Sequence, residues 1–148
     1  MNNKIKYVLA TGFGSGYSPL IPGTTGSLLA LILYILIPLN SWYWLIISTI
    51  TFFIGIHVAS FVENDKGKDP KIVVIDEFVG QWIALLFLPR TSIVYLAGFL
   101  LFRFLDIIKL YPANKMEEIR GGSGIMLDDV VAGLYANLLL QIIYGFVL

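Results

Sequence analysis

The sequence has no cysteine and only one histidine, His57, among its 148 residues. Without cysteine the chain cannot form a disulfide, use a thiolate nucleophile or bind zinc through thiolates. A lone histidine cannot act as both nucleophile and general acid, which disfavours a histidine-based lipid phosphatase. We interpret His57, which lies in an apolar segment, as a core or interface residue.

Charged residues are also scarce: they make up 14% of the chain, whereas 57% of it is hydrophobic. Soluble domains carry about 25% charged residues, so lipid is needed to cover this much apolar side chain. The formal net charge is zero, which gives no electrostatic signal for nucleic acid. At this length we expect residues 1–148 to form a single domain.

Long apolar segments predict an all-α integral membrane bundle with about five membrane helices. The second segment is long enough to cross a bilayer, whose core needs roughly 20 helical residues. The first is the shortest and is a candidate for a short or re-entrant helix. The segments are residues 24–39, 42–62, 72–88, 92–109 and 128–148.

Lysine and arginine collect in alternate connections, which predicts the orientation of the bundle. With a cytoplasmic N-terminus, only Arg90 falls on the far side of the membrane. An excess of basic residues in short cytoplasmic loops is the usual topological signal. This topology places the polar groups within the helices near the cytoplasmic face. The basic residues on that side are Lys4, Lys6, Lys66, Lys68, Lys71, Lys109, Lys115 and Arg120.

Two pairs of adjacent acids begin apolar segments. Asp76 and Glu77 follow a four-residue apolar run, and Asp128 and Asp129 open the last segment. Ionisable groups inside a membrane indicate a functional site, although carboxylates also suit a solvated helix N-terminus. If the four carboxylates meet, they repel one another unless a cation neutralises them. Mg²⁺ fits such a cluster because it prefers oxygen ligands.

Two basic residues and one acidic residue lie near the end of the fourth segment. Arg103, Asp106 and Lys109 are spaced three residues apart, which places them roughly along one helix face. Arginine suits bidentate contact with phosphate, and lysine offers a point charge. The alternative is an ion pair between Arg103 and Asp106, with Lys109 extending its ammonium to the interface.

Two glycine-rich stretches precede helices. The first comprises residues 12–19 and 22–27 and forms the entry to the first segment, which begins with Thr24 and contains Ser27. Backbone N–H groups at a helix N-terminus can hold an anion, so Thr24 and Ser27 are candidate phosphate-binding residues. The stretch lacks the lysine of a P-loop, and a flexible interfacial loop is the alternative. Residues 121–124 form a similar hinge or phosphate cradle.

Three blocks in this order, residues 12–27, 72–83 and 102–133, resemble the phosphatidylglycerophosphatase A family. They cover most of the chain. The family usually has proline after the lysine of the third block, where this sequence has Leu110, followed by Tyr111 and Pro112. This difference concerns the local helix end more than the chemistry.

The resemblance implies a Mg²⁺-dependent enzyme that removes the terminal phosphate of phosphatidylglycerol phosphate. It implies a multi-pass protein of the bacterial inner membrane, with its active site at the cytoplasmic face. The expected catalytic acids are Asp76, Glu77, Asp106, Asp128 and Asp129, accompanied by Arg103 and Lys109.

From these residues we hypothesise a division of roles. Metal ligands come from Asp76, Glu77, Asp128 and Asp129, while Asp106 orients a water or pairs with an arginine. Attack by water and an aspartyl-phosphate intermediate both remain open. The phosphate is held by Arg103, Lys109, Thr24, Ser27 and the glycine-rich loops.

Two other classes of function compete with the enzyme. A small ion-coupled transporter also holds intramembrane acids, but it is expected to place them near the bilayer midplane in repeated halves. Here the acids lie towards one face and no internal repeat is visible. A structural subunit predicts no metal-dependent phosphate release. The sequence leaves the oligomeric state open, with a homodimer as one option.

Overall fold

A computed structural model describes residues 1–147, and these form seven α-helices and no β-strand. The all-α prediction is therefore confirmed. Leu148, the end of the fifth predicted segment, lies outside the described residues. The helices are α1 (Asn3–Ala10), α2 (Pro22–Leu36), α3 (Ser41–Lys66), α4 (Ile75–Leu85), α5 (Ser92–Ile108), α6 (Ala113–Met116) and α7 (Gly122–Val147).

Each of the five apolar segments contains a helix, but their lengths differ from the prediction. Within the part of the chain that the structure describes, α3 and α7 are the two helices long and apolar enough to cross a membrane by length and composition. Helix α4 has 11 residues because its first turn begins at Ile75 and the chain becomes extended at Leu86. The sequence pattern predicted neither α1, a short helix before the first apolar segment, nor α6, a short helix in the polar connection between α5 and α7.

Helix α4 occupies the centre of the bundle. Ten of its 11 residues are buried, and it packs against α2, α3, α5 and α7. A side chain on Gly133 of α7 would overlap the backbone carbonyl of Gly80 in α4. A side chain on Gly80 would overlap the ring of Phe102 in α5. Small residues therefore let three helices approach closely, as at helix contacts in membranes.

The glycine-rich loop after α1 fixes the segment that leads into α4. Gly16 packs so closely on the carbonyl of Ile72 that a Cβ would overlap it. The backbone N–H of Val74 donates to the carbonyl of Ala10 at 2.9 Å. These contacts hold the N-terminus of α4 in place, and this N-terminus carries the first acidic pair.

Candidate functional site

Helix termini from distant parts of the chain meet at one end of the bundle. The first turn of α4 carries Asp76 and Glu77, and the second turn of α7 carries Asp128 and Asp129. The last turns of α5 and the residue after it supply the third group. A cavity of about 210 Å³ lies between them. It is lined by Pro22, Gly23, Asp69, Pro70, Lys71, Val73, Asp76, Glu77, Arg103, Asp106, Lys109, Asp128 and Asp129.

All five predicted carboxylates are buried around this cavity; the most exposed of them, Asp106, is 9% exposed. Four carboxylate oxygens are buried without a hydrogen-bond partner among the described residues. Such atoms are costly to bury, so their presence indicates a ligand or a functional constraint. They are Asp76 Oδ1, Glu77 Oε2, Asp128 Oδ1 and Asp129 Oδ2.

The carboxylates form two overlapping groups that could each hold a cation. One oxygen each of Asp76, Asp128 and Asp129 lie within 4.8 Å of one another. The same holds for Glu77, Asp106 and Asp129. Asp129 belongs to both groups and therefore lies at the centre of the cluster. Buried like charges at this separation require a cation or protons to be tolerated, and the all-oxygen donor set suits Mg²⁺.

Both cations predicted to bind phosphate are also paired with acids. Arg103 Nη1 lies 2.6 Å from Asp106 Oδ2 and 3.8 Å from Glu77 Oε1. Lys109 forms an ion pair with Asp128 and lies 3.7 Å from Asp106 Oδ1. The alternative ion pair of Arg103 with Asp106 is therefore present. Lys109, however, points into the acidic cluster instead of extending to the interface.

The backbone at Lys109 explains how its side chain reaches the cluster. Helix α5 ends at Ile108, and Lys109 adopts a left-handed conformation with φ of 51°. Burial alone would lower the pKa of Lys109. The hydrogen bond to Asp128 and the charges of Asp128, Asp106 and Asp129 outweigh burial and raise that pKa above its usual value. The ammonium therefore stays charged and offsets part of the negative charge.

Gly23, in the first turn of α2, closes one side of the cavity. A Cβ at this position would overlap Glu77 Oε1 and would lie 3.0 Å from Arg103 Nη2. Glycine is therefore required for the close approach of α2 to the Glu77 and Arg103 side chains.

The structure does not place the predicted phosphate-binding residues of α2 in the cavity. Ser27 is fully buried, and its hydroxyl donates to the carbonyl of Gly23 at 2.9 Å. Thr24 is half-buried, and neither residue lines the cavity. Of the glycine-rich stretches, only 22–27 reaches the cavity, through Pro22 and Gly23, whereas residues 12–19 and 121–124 do not line it. Gly16 packs on Ile72, and Gly122 donates its N–H to Ser60 Oγ at 2.7 Å.

Sequence reasoning missed several residues at or near the site. Lys71 and Asp69 line the cavity from the loop before α4, and Glu117 lies 3.8 Å from Lys109. Gln81 lies one helical turn after Glu77 and is fully buried, and neither of its amide atoms has a partner among the residues described. A glutamine inside an otherwise apolar run is the only signal that marked it. The loop residues had no signal beyond their nearness to the acids.

Comparisons with known proteins assign most of the chain to the family that its sequence motifs resemble. The sequence pattern of "Phosphatidylglycerophosphatase A" matches residues 8–144. A Bacteroides thetaiotaomicron protein, provisionally named a phosphatidylinositol-3-phosphatase, is 44% identical over 91% of this chain and 91% of its own length. The phosphatidylglycerophosphatase A of Escherichia coli K12 is 39% identical over 86% of this chain and 77% of its own.

A third relative, the phosphatidylglycerophosphatase A of Haemophilus influenzae, is 41% identical over 88% of this chain and 83% of its own length. No solved structure matches the chain. Two of these three relatives are named for phosphatidylglycerol phosphate, and the third is named for phosphatidylinositol 3-phosphate.

Proposed function

Since the chain belongs to the phosphatidylglycerophosphatase A family, we propose that it hydrolyses the terminal phosphate of phosphatidylglycerol phosphate. The products are phosphatidylglycerol and inorganic phosphate. The observation that carries the proposal is the meeting of five buried carboxylates with Arg103 and Lys109 around one cavity. An inert structural subunit has no need for charges that are this costly to bury.

The membrane setting follows from the apolar outer surface. One stripe of α5 exposes large apolar side chains at spacings of three and four residues, which water would not tolerate on this scale. Helices α3 and α7 are long enough to cross the bilayer. We place the shorter helices α2, α4 and α5 beside them, with the cavity at the cytoplasmic face of the bacterial inner membrane. The α5 stripe is Ile93, Leu96, Leu100, Phe104 and Ile107.

The cavity fits Mg²⁺, which the family resemblance implies. Asp76, Asp128 and Asp129 would hold it, because one oxygen of each lies within 4.8 Å of the others. Glu77 would join them through the overlapping group that also contains Asp129. Each of the four residues has a buried oxygen with no partner among the described residues. When bound there, Mg²⁺ would supply Lewis-acid chemistry that makes the phosphoryl group easier to attack. The acids would also keep the metal at the end of the bundle, next to the lipid headgroups.

The remaining side chains position the phosphate. Arg103 has a buried Nε without a partner, and a phosphate oxygen would supply the acceptor. Lys109 holds Asp128 in place and balances its charge. Asp106 accepts from Arg103 Nη1 at 2.6 Å and keeps the guanidinium facing the cavity. Its Oδ1 lies 3.7 Å from Lys109 Nζ and is available to orient water.

Hydrolysis joins an oxygen to phosphorus, breaks the bond to the glycerol oxygen and returns a proton to that oxygen. The attacking oxygen belongs either to water or to a carboxylate of the cluster, which would give an aspartyl-phosphate. Acid quenching during turnover separates the two routes, because only the second leaves phosphate on the protein.

The test is release of inorganic phosphate by the purified protein in detergent micelles. We expect phosphatidylglycerol phosphate to be hydrolysed, EDTA to stop the reaction and added Mg²⁺ to restore it. Phosphatidylinositol 3-phosphate is assayed in parallel, because one relative is named for that substrate. A transporter or structural subunit would release no phosphate from either lipid, and that result would refute the proposal.

A further inference from the structure

The loop before α4 places a third cation, Lys71, at the cavity. The cavity-lining cations are Lys71, Arg103 and Lys109. Arg103 and Lys109 are paired with carboxylates of the cluster. Among the described residues, Lys71 has no carboxylate within 4.0 Å and is exposed. It is therefore the cavity cation whose charge is not already engaged by the protein.

The backbone around Lys71 is anchored on its C-terminal side. The N–H of Val73 donates to the carbonyl of Pro70 at 3.0 Å, closing a turn around the lysine. Ile72 is pressed against Gly16, and Val74 is hydrogen-bonded to Ala10. The lysine is thus held at the edge of the cavity by the α1 region, which gives the glycine-rich loop a role other than phosphate contact.

The proposed substrate carries two phosphates with different surroundings. Its terminal monoester must reach the acidic cluster, while its phosphodiester joins the headgroup to the lipid and stays nearer the interface. Phosphatidylinositol 3-phosphate has the same combination of one monoester and one diester. A lipid headgroup that enters the cavity monoester first therefore brings its diester to the edge, where an exposed ammonium is a suitable point-charge partner.

Building on the proposed function, we propose that Lys71 binds the phosphodiester of the lipid substrate and favours headgroups that carry two phosphates. Lys71 contributes to substrate binding and not to the chemical step, because it lies at the edge and makes no contact with the acids. Its loss therefore raises KM and leaves kcat unchanged. The effect is moderate because the side chain is exposed to water.

The experiment measures KM and kcat for phosphatidylglycerol phosphate in mixed micelles of fixed composition, with inorganic phosphate as a competing ligand. Inorganic phosphate occupies only the monoester site. For Lys71→Gln we expect KM to rise about five- to tenfold, with kcat and the inhibition constant of phosphate unchanged. Lys71→Arg should restore most of the lost binding, because it keeps the charge.

Lys68→Gln is the matched control, since it removes the same charge from the same loop at a residue that does not line the cavity. Its KM should equal that of the unsubstituted protein. Equal KM changes in both glutamine variants, a parallel rise in the phosphate inhibition constant, or no change in Lys71→Gln would overturn the assignment. If the unsubstituted protein releases no phosphate at all, the proposed function fails first, and this outcome is recognisable before any variant is made.

Discussion

The two ends of the bundle differ in the buried polar groups that they contain and in how these groups are hydrogen-bonded. At the end opposite the acids, Trp82 Nε1 donates to the carbonyl of Ala30 at 2.9 Å, and the Tyr34 hydroxyl donates to the carbonyl of Leu85 at 3.2 Å. Asn137 donates to the carbonyl of Leu86 at 2.7 Å. The groups without a partner there, Trp44 Nε1 and Ser48 Oγ, are uncharged, whereas at the acidic end four carboxylate oxygens lack a partner among the described residues.

From this difference we infer that the first end mainly stabilises the fold, whereas the acidic end is suited to binding a ligand. Paired polar groups and close aromatic contacts favour the folded state at no cost to function. Unpaired carboxylates oppose folding, and they persist where activity requires them. The end opposite the acids, which contains Tyr34, Trp44 and Trp82, is called the aromatic end here. Substitutions at the acidic end are therefore expected to lower enzymatic activity, and those at the aromatic end to lower the free energy of unfolding.

The largest effect is expected for Asp129→Asn, because Asp129 belongs to both groups of carboxylates. Loss of its charge should lower kcat on the order of a thousandfold, since a bound metal supplies several kcal/mol of charge stabilisation. In EDTA the variant should unfold about 2–4 °C higher, because like-charge repulsion is reduced. Phosphate release and thermal unfolding measure the two effects.

Glu118→Gln is the control for Asp129→Asn, since Glu118 is an exposed acid outside the cavity that pairs with Lys115. It should leave both quantities unchanged. Near-normal activity of Asp129→Asn in folded protein would remove Asp129 from the site.

Gly23→Ala should give the next largest effect. The added Cβ would overlap Glu77 Oε1 and crowd Arg103, so both side chains must move. We expect kcat/KM to fall about a hundredfold, as misplacement of positioning groups by about 1 Å typically does. Gly145→Ala is the matched control, because a Cβ there meets open space. Similar activity in the two variants would show that the close approach of α2 has no role in the reaction.

At the aromatic end, Trp82→Phe should lower stability without affecting the reaction. It removes the hydrogen bond to the carbonyl of Ala30 and part of the indole ring, whose centroid lies 5.0 Å from that of Trp44. The expected loss is about 1–2 kcal/mol of unfolding free energy. Denaturant titration in detergent measures it, and kcat of the folded fraction should stay within about twofold. A kcat loss with unchanged stability would contradict the separation of the two ends.

The smallest expected effect is at Gln81, which lies between the two ends. Its amide is fully buried with no partner for either polar atom. Gln81→Met keeps the approximate volume and removes the unsatisfied groups, so unfolding should occur about 2–4 °C higher, corresponding to about 1 kcal/mol. Thermal unfolding in EDTA measures the shift. A lower unfolding temperature would mean that the amide has a partner in the folded protein.

Much of the candidate site could be predicted from the sequence, because buried charge in an apolar chain is rare. Asp76, Arg103 and Asp129 each interrupt an apolar segment, and the alternation of the segments places them at one end. Thr24 and Ser27 were chosen from helix-start chemistry alone. That chemistry does not say which way a side chain turns, and Ser27 in fact bonds back to its own helix.

The number and length of the helices were less predictable. Hydrophobic runs mark where a chain avoids water, but a short buried helix and a membrane-crossing one have the same composition. Helix α4 is therefore only 11 residues long within a 17-residue apolar stretch, residues 72–88. The residues that flank it are non-helical: the N–H of Val74 donates to Ala10 of α1, and the carbonyl of Leu86 accepts from Asn137 of α7. Such long-range contacts leave no local pattern in the sequence.

The sequence by itself determined the class of the protein: a strongly apolar, weakly charged and all-helical chain with its acids at one end of the bundle. Local composition and periodicity suffice for these properties. Only the tertiary structure decided that Gly23 touches Glu77 and Arg103, and, within residues 1–147, which oxygens lack partners and that Lys71 forms no ion pair at the cavity. These depend on distances between residues far apart in the chain, which close packing of the helices sets.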